Sequence, residues 1–181
     1  IHISSLSIYG TNKYINESSC PIPQTPYACL KYFSDYNIET SLTNYTILRV
    51  SNLYGNNQKK GIINYLTQTY LSKNHEIYFD NDGTLKRYYL HIHDLACILE
   101  EVLERNMTGI YNIIGKDQLT IKELVLMFEK TLKYKFDVTF QNIPAIENIE
   151  IIDTTKKDIQ INHKNKISIQ SYLEDLKHEI I

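Results

Sequence analysis

Two residues capable of acid–base chemistry stand four apart in the stretch QTPYACLKYFSDYN, residues 24–37: Tyr27 and Lys31. A phenol titrates near pH ~10, and an adjacent ammonium favours its anion. On one helix face such a pair is equipped to take a proton from a substrate hydroxyl. The spacing alone is weak. With 15 tyrosines and 16 lysines in 181 residues, about one Tyr-x-x-x-Lys pair is expected by chance, and the chain has a second. That copy, Tyr9 to Lys13, spans Gly10, Thr11 and Asn12, a turn whose flanking side chains need not meet. The first copy follows Pro26, with Thr25 placed as a cap, which predicts a helix from Tyr27 to Thr40. Its two residues also fit a plain amphipathic helix.

A second cluster is "HIHD", residues 91–94. On a strand His91 and His93 share a face, and with Asp94 they have the donor types of a metal site. The remaining histidines, His2, His75, His163 and His178, are scattered. The competing reading is a strand-to-helix junction with Asp94 in the first helical turn, and no metal is expected. Cys20, Cys29 and Cys97 show no paired spacing, which suggests reduced thiols in a cytoplasmic setting.

The elements that position these residues alternate. "IHISSLSIY" reads as a buried strand ending at Gly10, and "YTILRVS" (45–51) as a β-branched strand followed by a loop, "NLYGNNQKK". "GIINYLTQTYLSK" has helical periodicity, "HEIYF" is a short strand, and "DNDG" is a tight turn. "RYYLHI" is extended and runs into the helix "HDLACILEEVLER"; "GIYNIIG" (109–115) is a buried strand closed by glycine. Thr120 and Glu123 form a capping box for "TIKELVLMFEKTLK". "KFDVTF" alternates as a strand, and "SIQSYLEDLKHEI" closes the chain as a helix. Strand–helix alternation predicts an α/β fold with a largely parallel sheet.

Composition narrows the function. The net charge is −2 and the sequence pI about 6.3, so no basic field invites nucleic acid or anionic lipid. The hydrophobic fraction of 43% and charged fraction of 22% are those of a globular protein. No apolar run reaches the ~20 residues needed to span a bilayer.

Five segments, "SSLSIYG", "PYACLK", "ILRVSNLYG", "KRYYLHIHDLA" and "GIYNIIG", occur in one order with short gaps. Together they resemble the extended short-chain dehydrogenase/reductase family, specifically its nucleotide-sugar epimerases and dehydratases. The resemblance covers nearly the whole chain, including the tail "DTTKKDIQI…ISIQSYLEDL". It implies the C-terminal part of a Rossmann-type doubly wound parallel sheet with a small α/β substrate-binding lobe. Residues 1–60 would belong to the NAD(P)-binding domain. Residues 61–181 would be mainly the substrate lobe, with returning Rossmann elements at about 86–115.

The resemblance also implies roles. Ser5, five positions before Gly10, falls on the strand-end hydroxyl that holds the reacting oxygen; Tyr27 falls on the general base, and Lys31 on the lysine that holds the cofactor ribose. Asn52 matches an asparagine set against the substrate sugar or diphosphate, and Arg87 an arginine that clamps the diphosphate. The implied cofactor is NAD or NADP, the substrate a nucleotide-diphosphate sugar passing through a transient 4-keto form, and the assembly a homodimer, in the setting of surface-polysaccharide precursors. Tyr88 stands where aspartate is common, and Val50 where proline or an aromatic is frequent. No carboxylate acid/base is evident near Tyr27, which favours epimerase or reductase over dehydratase.

The Gly-rich loop that binds a dinucleotide pyrophosphate, G-x-x-G-x-x-G, occurs nowhere among the six glycines. The chain starts "IHISSLSIYG", without methionine and inside a predicted strand. The expectation is a fragment of a longer protein. A non-catalytic relative that binds a nucleotide sugar or a partner protein is the alternative, although intact Ser5, Tyr27 and Lys31 weigh against a retired site.

Overall fold

The computed structural model describes residues 1–55, 58–143, 151–152 and 167–180. Its first sheet is parallel throughout, in the order β1 (His2–Ser5), β3 (Thr46–Val50), β7 (Gly109–Ile113). All five residues of the central strand β3 are buried, as expected of a strand covered on both faces. The helix α1 (Pro26–Ser41) connects β1 to β3 by way of the short strand β2 (Tyr14–Ile15). Thr25 caps α1 by accepting from the Ala28 amide at 3.2 Å, with Pro26 at its first position.

The chain then forms β4 (Asn52–Tyr54), α2 (Ile62–Leu71), β5 (Glu76–Phe79) and β6 (Lys86–His91). After α3 (Ile92–Glu104) and β7 come β8 (Asp117–Thr120), α4 (Ile121–Leu132) and β9 (Asp137–Phe140), then β10 (Ile151–Ile152) and α5 (Ile169–Ile180). Strand β6 pairs with β4 in parallel and with β8 antiparallel. β5 pairs with β9 and β2 with β10, both in parallel. The α/β class and the predominance of parallel pairing thus follow the sequence reading.

Three apolar clusters hold these layers. Leu48, Val50, Leu90, Leu95, Ile98 and Ile113 join the first sheet to β6 and α3. A larger cluster, which includes Leu66, Ile77, Leu124, Phe128 and Leu173, packs α2, β5, α4 and α5 together. Leu6, Ile8, Tyr9, Ile15 and Ile152 form the third, beneath the start of α1. The Thr120–Glu123 capping box is present in full at α4.

Three expectations change. The opening strand stops at Ser5, and Leu6–Tyr9 wind into one 3-10 turn. Ser5 caps that turn by accepting from the Ser7 amide, and Gly10, at φ +58°, ends it. An apolar run of this length reads the same in a strand or a tight helix. Asn52–Tyr54, expected as loop, is the strand β4. β8 was not expected, because its half-buried "DQLT" has no apolar alternation. Of the tail quoted above, "DTTKKDIQI" lies outside the described residues.

Candidate functional site

A cleft of about 360 Å³ opens beyond the carboxyl ends of β1 and β3, the usual ligand position in an open α/β sheet. Its wall brings together Ser5, Tyr27, Asn52 and Arg87, which come from four different elements. Ser5 is the last residue of β1. Its Oγ accepts from the Ser7 amide at 3.2 Å and the Ser7 hydroxyl at 2.9 Å, so its own proton is left to donate into the cleft. Tyr27 stands in the first turn of α1 and is 56% exposed on the cleft side.

Lys31 does not line the cleft. It stands one turn behind Tyr27, with Nζ 6.0 Å from the Tyr27 ring centroid, and donates to the Ile3 carbonyl at 2.9 Å. The Tyr9–Lys13 copy behaves otherwise: Tyr9 is wholly buried and donates to Asn112 Oδ1, while Lys13 lies exposed beyond the turn.

Strand β6 divides this cleft from a second pocket of about 400 Å³. Lys86 and Tyr88 line only the first, and Leu85 and Tyr89 belong only to the second, following the two-residue alternation of a strand. Arg87, Asn52 and Leu53 border both. A ligand spanning the two therefore passes Arg87 and Asn52 at its middle. The Asn52 amide also donates to the Tyr88 carbonyl at 3.4 Å, tying β4 to β6. Among the described residues no Asp or Glu lines either pocket, whereas Lys86, Arg87 and Lys60 do. The lining suits an anionic ligand. Burial pushes the Tyr89 phenol up to about 12, against the nearby Arg87 charge, so it stays a donor at the floor of the second pocket.

Several lining residues escaped the sequence reading: Ser7, Thr25, Ser51 and Lys86. Thr25 was read only as a helix cap, and Ser7, Ser51 and Lys86 stood inside quoted motifs without a role of their own. They reach the cleft because β1, β3, α1 and β6 converge there.

The histidine cluster resolves differently from a strand pair. His91 ends β6 and His93 already belongs to α3, so they do not share a strand face. His91 Nδ1 accepts from the His93 amide at 3.2 Å and so caps the helix, with Asp94 in its first turn. Among the described residues no three His, Cys, Asp or Glu side chains gather as metal ligands. Nor is any helix there long and apolar enough to cross a membrane. The three cysteines are free thiols.

Ser5 and Tyr27 bring a hydroxyl and a phenol, donor types compatible with the ribose and nicotinamide end of a dinucleotide, to the cleft beyond β1, while the Lys31 ammonium stands one turn back on the Ile3 carbonyl. No pyrophosphate loop exists among these 181 residues to hold the other end.

Residues 1–113 match the model of the NAD dependent epimerase/dehydratase family. UDP-glucuronic acid 4-epimerase from Bacillus cereus, solved with UDP-glucuronic acid and NAD, is 25% identical, with a TM-score of 0.84. That comparison covers 99% of this chain and 61% of the epimerase. The dTDP-glucose 4,6-dehydratase of Bacillus anthracis, solved with NAD, is 22% identical with a TM-score of 0.82, covering 98% and 60% respectively. There the likeness is one of fold. An uncharacterized protein of Schizosaccharomyces pombe is 29% identical over 69% of this chain and 42% of its own length. The chain therefore spans about three fifths of these solved enzymes and less than half of that curated relative.

Proposed function

Since this chain belongs to the NAD dependent epimerase/dehydratase family, we propose that it carries the proton-transfer and substrate-binding part of a nucleotide-sugar epimerase or dehydratase. The observation that supports this most is the single cleft shared by Ser5, Tyr27, Asn52 and Arg87, which are spread over more than eighty residues of sequence.

In this reading a nucleoside-diphosphate sugar lies across the two pockets, its diphosphate between Arg87 and Asn52. A planar guanidinium offers paired donors to phosphate oxygens, and an amide adds donors without charge. The sugar occupies the cleft between β1 and α1. Ser5 donates to the reacting sugar oxygen and fixes it, while Tyr27 Oη takes the hydroxyl proton as the carbon–oxygen double bond of a 4-keto sugar forms. NAD, when bound, supplies the hydride acceptor. Tyr27 and Lys31 would hold its ribose from one helix face. Tyr27 would return that proton to the same oxygen as the hydride is given back to the carbon on its opposite face, which closes epimerisation.

A homodimer formed through α1 belongs to the same proposal, supported by the outward exposure of Leu30, Phe33 and Tyr36 on that helix. A second reading is a nucleotide-sugar-binding module without catalysis, which the basic lining of Lys60, Lys86 and Arg87 would serve equally.

Calorimetric titration with UDP-glucose, paired with an epimerisation assay in added NAD, separates the two. Arg87→Met is expected to weaken UDP-glucose binding by about tenfold or more. Tyr27→Phe is expected to keep that affinity and to lower turnover by about 10²–10⁴. Binding without turnover in the unaltered chain favours the module. A chain that binds no nucleoside-diphosphate sugar overturns both readings.

A further inference from the structure

The helix that carries Tyr27 and Lys31 is docked with little fully buried apolar surface, its main apolar contact being the half-buried Tyr32 on the Leu6–Tyr9 cluster. α1 fully buries only Ala28 and Asp35, while Leu30, Phe33 and Tyr36 are each more than half exposed. Apolar contact is non-directional, so a helix with so little of it has little to fix its rotation. The directional contact is polar.

Asp35 is 0% exposed and Arg49, the last residue but one of β3, 3%. Arg49 Nε donates to Asp35 Oδ2 at 3.0 Å. Its Nη2 lies 3.5 Å from Glu39 Oε1, one turn further along α1. The Nη1 atom donates to Tyr9 Oη at 2.9 Å and to the Glu17 carbonyl at 3.4 Å. Tyr9 in turn donates to Asn112 Oδ1 on β7 at 2.9 Å, and the Asn112 backbone N–H donates to Glu17 Oε1 at 3.1 Å. His2 Nε2, on β1, is 3.5 Å from the other Asp35 oxygen.

This network reaches every segment that bears a proposed reacting group. Asp35 continues the Tyr27–Lys31 stripe by one further step of four. Tyr9 ends the turn that Ser5 begins, and Arg49 lies three residues before Asn52 on the same run of chain. A planar guanidinium with fixed donor directions can set both the height and the rotation of the helix it grips. A buried ion pair adds little net stability over an apolar pair of equal volume, so direction is what it contributes.

We propose that Arg49 and Asp35 are positioning residues, whose buried ion pair fixes α1 on β3 and thereby sets Tyr27 and Lys31 against Ser5. Their link to catalysis rests on the functional reading above; their grip on the helix does not.

The test separates stability from position. Asp35→Leu/Arg49→Met replaces the pair with apolar side chains, and its melting temperature is expected to stay close to that of the parent. Lys31 reports position, because its Nζ is held on the Ile3 carbonyl. Limited acetylation read by peptide mass spectrometry, with exposed Lys130 as internal reference, is expected to show Lys31 at least about threefold more reactive in the double variant. Turnover, where the preparation has it, should lose kcat while KM is held. Unchanged Lys31 protection in the folded double variant overturns the proposal. Should that variant fail to fold, Asp35→Asn, which keeps the side-chain volume, decides by the same readout. Loss of nucleotide-sugar binding in the parent chain would sink the functional reading alone, whereas unchanged Lys31 labelling sinks this proposal alone.

Discussion

His91 does two things with one ring. It closes β6 against Tyr54, edge to face at 5.1 Å, and its Nδ1 accepts from the His93 amide to start α3. Only the neutral imidazole has an acceptor for that amide. Burial lowers the His91 pKa from its ordinary 6.5, with Asp94 opposing the shift. The folded chain therefore binds this proton less readily than the unfolded one. The resulting stability is complete above about pH 6.5 and is lost as pH falls below it toward the depressed value. Melting temperature is thus expected to fall from about pH 7 to about pH 5. His91→Asn, which keeps a capping acceptor without titrating, should flatten much of that slope. His2, also lowered by burial, would account for what remains. An unaltered slope in the Asn variant would mean that the titrating group lies elsewhere.

Gly115, just past β7, is required by proximity rather than by a special φ. A Cβ there would sit 1.6 Å from the Tyr89 carbonyl oxygen and 2.6 Å from Leu90 Cα, both backbone atoms of β6 that no rotamer change can move. Gly115→Ala should separate the end of β7 from β6 and cost more than about 3 kcal/mol, measured by urea unfolding. A loss below about 1 kcal/mol would show that β6 can shift. "GIYNIIG" announced a buried strand closed by glycine, but not that β6 would be the neighbour it must clear. The same limit runs through the chain. Helices with local chemistry at their ends were readable, as Thr25–Pro26 and the Thr120–Glu123 box show. The β-branched strands β3 and β9 were readable too. The 3-10 turn at Leu6–Tyr9, β4 and β8 were not, because pairing across the chain decides them. The candidate site divides in the same way. Ser5, Tyr27, Asn52 and Arg87 stood out through the order of their motifs, whereas Ser51 and Lys86 enter the cleft only through tertiary convergence. Arg49 stands within the β-branched stretch "YTILRVS", and nothing local pointed from it to Asp35, fourteen residues earlier.

At the scale of the whole molecule, α1 presents an apolar stripe that the described residues leave exposed. Leu30, Phe33 and Tyr36 are 68%, 64% and 56% exposed along the outer side of α1, opposite the face that Asp35 turns to Arg49. Large apolar side chains gathered on one helix face mark an interaction surface more often than isolated ones do. A second copy can cover the stripe by a two-fold axis, helix against helix, because such an interface asks each subunit for the same patch. Leu30→Glu/Phe33→Glu is therefore expected to convert a dimer into a 21.2 kDa monomer in sedimentation velocity. The helix content should stay unchanged, since neither side chain supports the interior. Mass action adds a second readout: a dimer's melting temperature rises with protein concentration, and that of the glutamate variant should not. A parent chain that sediments as a monomer at about 100 μM, with a concentration-independent melt, would rule the stripe out as a self-contact. If the dimer does form, the two sides of α1 are held by different means, the inner face by the Arg49–Asp35 pair and the outer face by the second subunit, so loosening the dimer should also raise Lys31 reactivity with Arg49 and Asp35 intact.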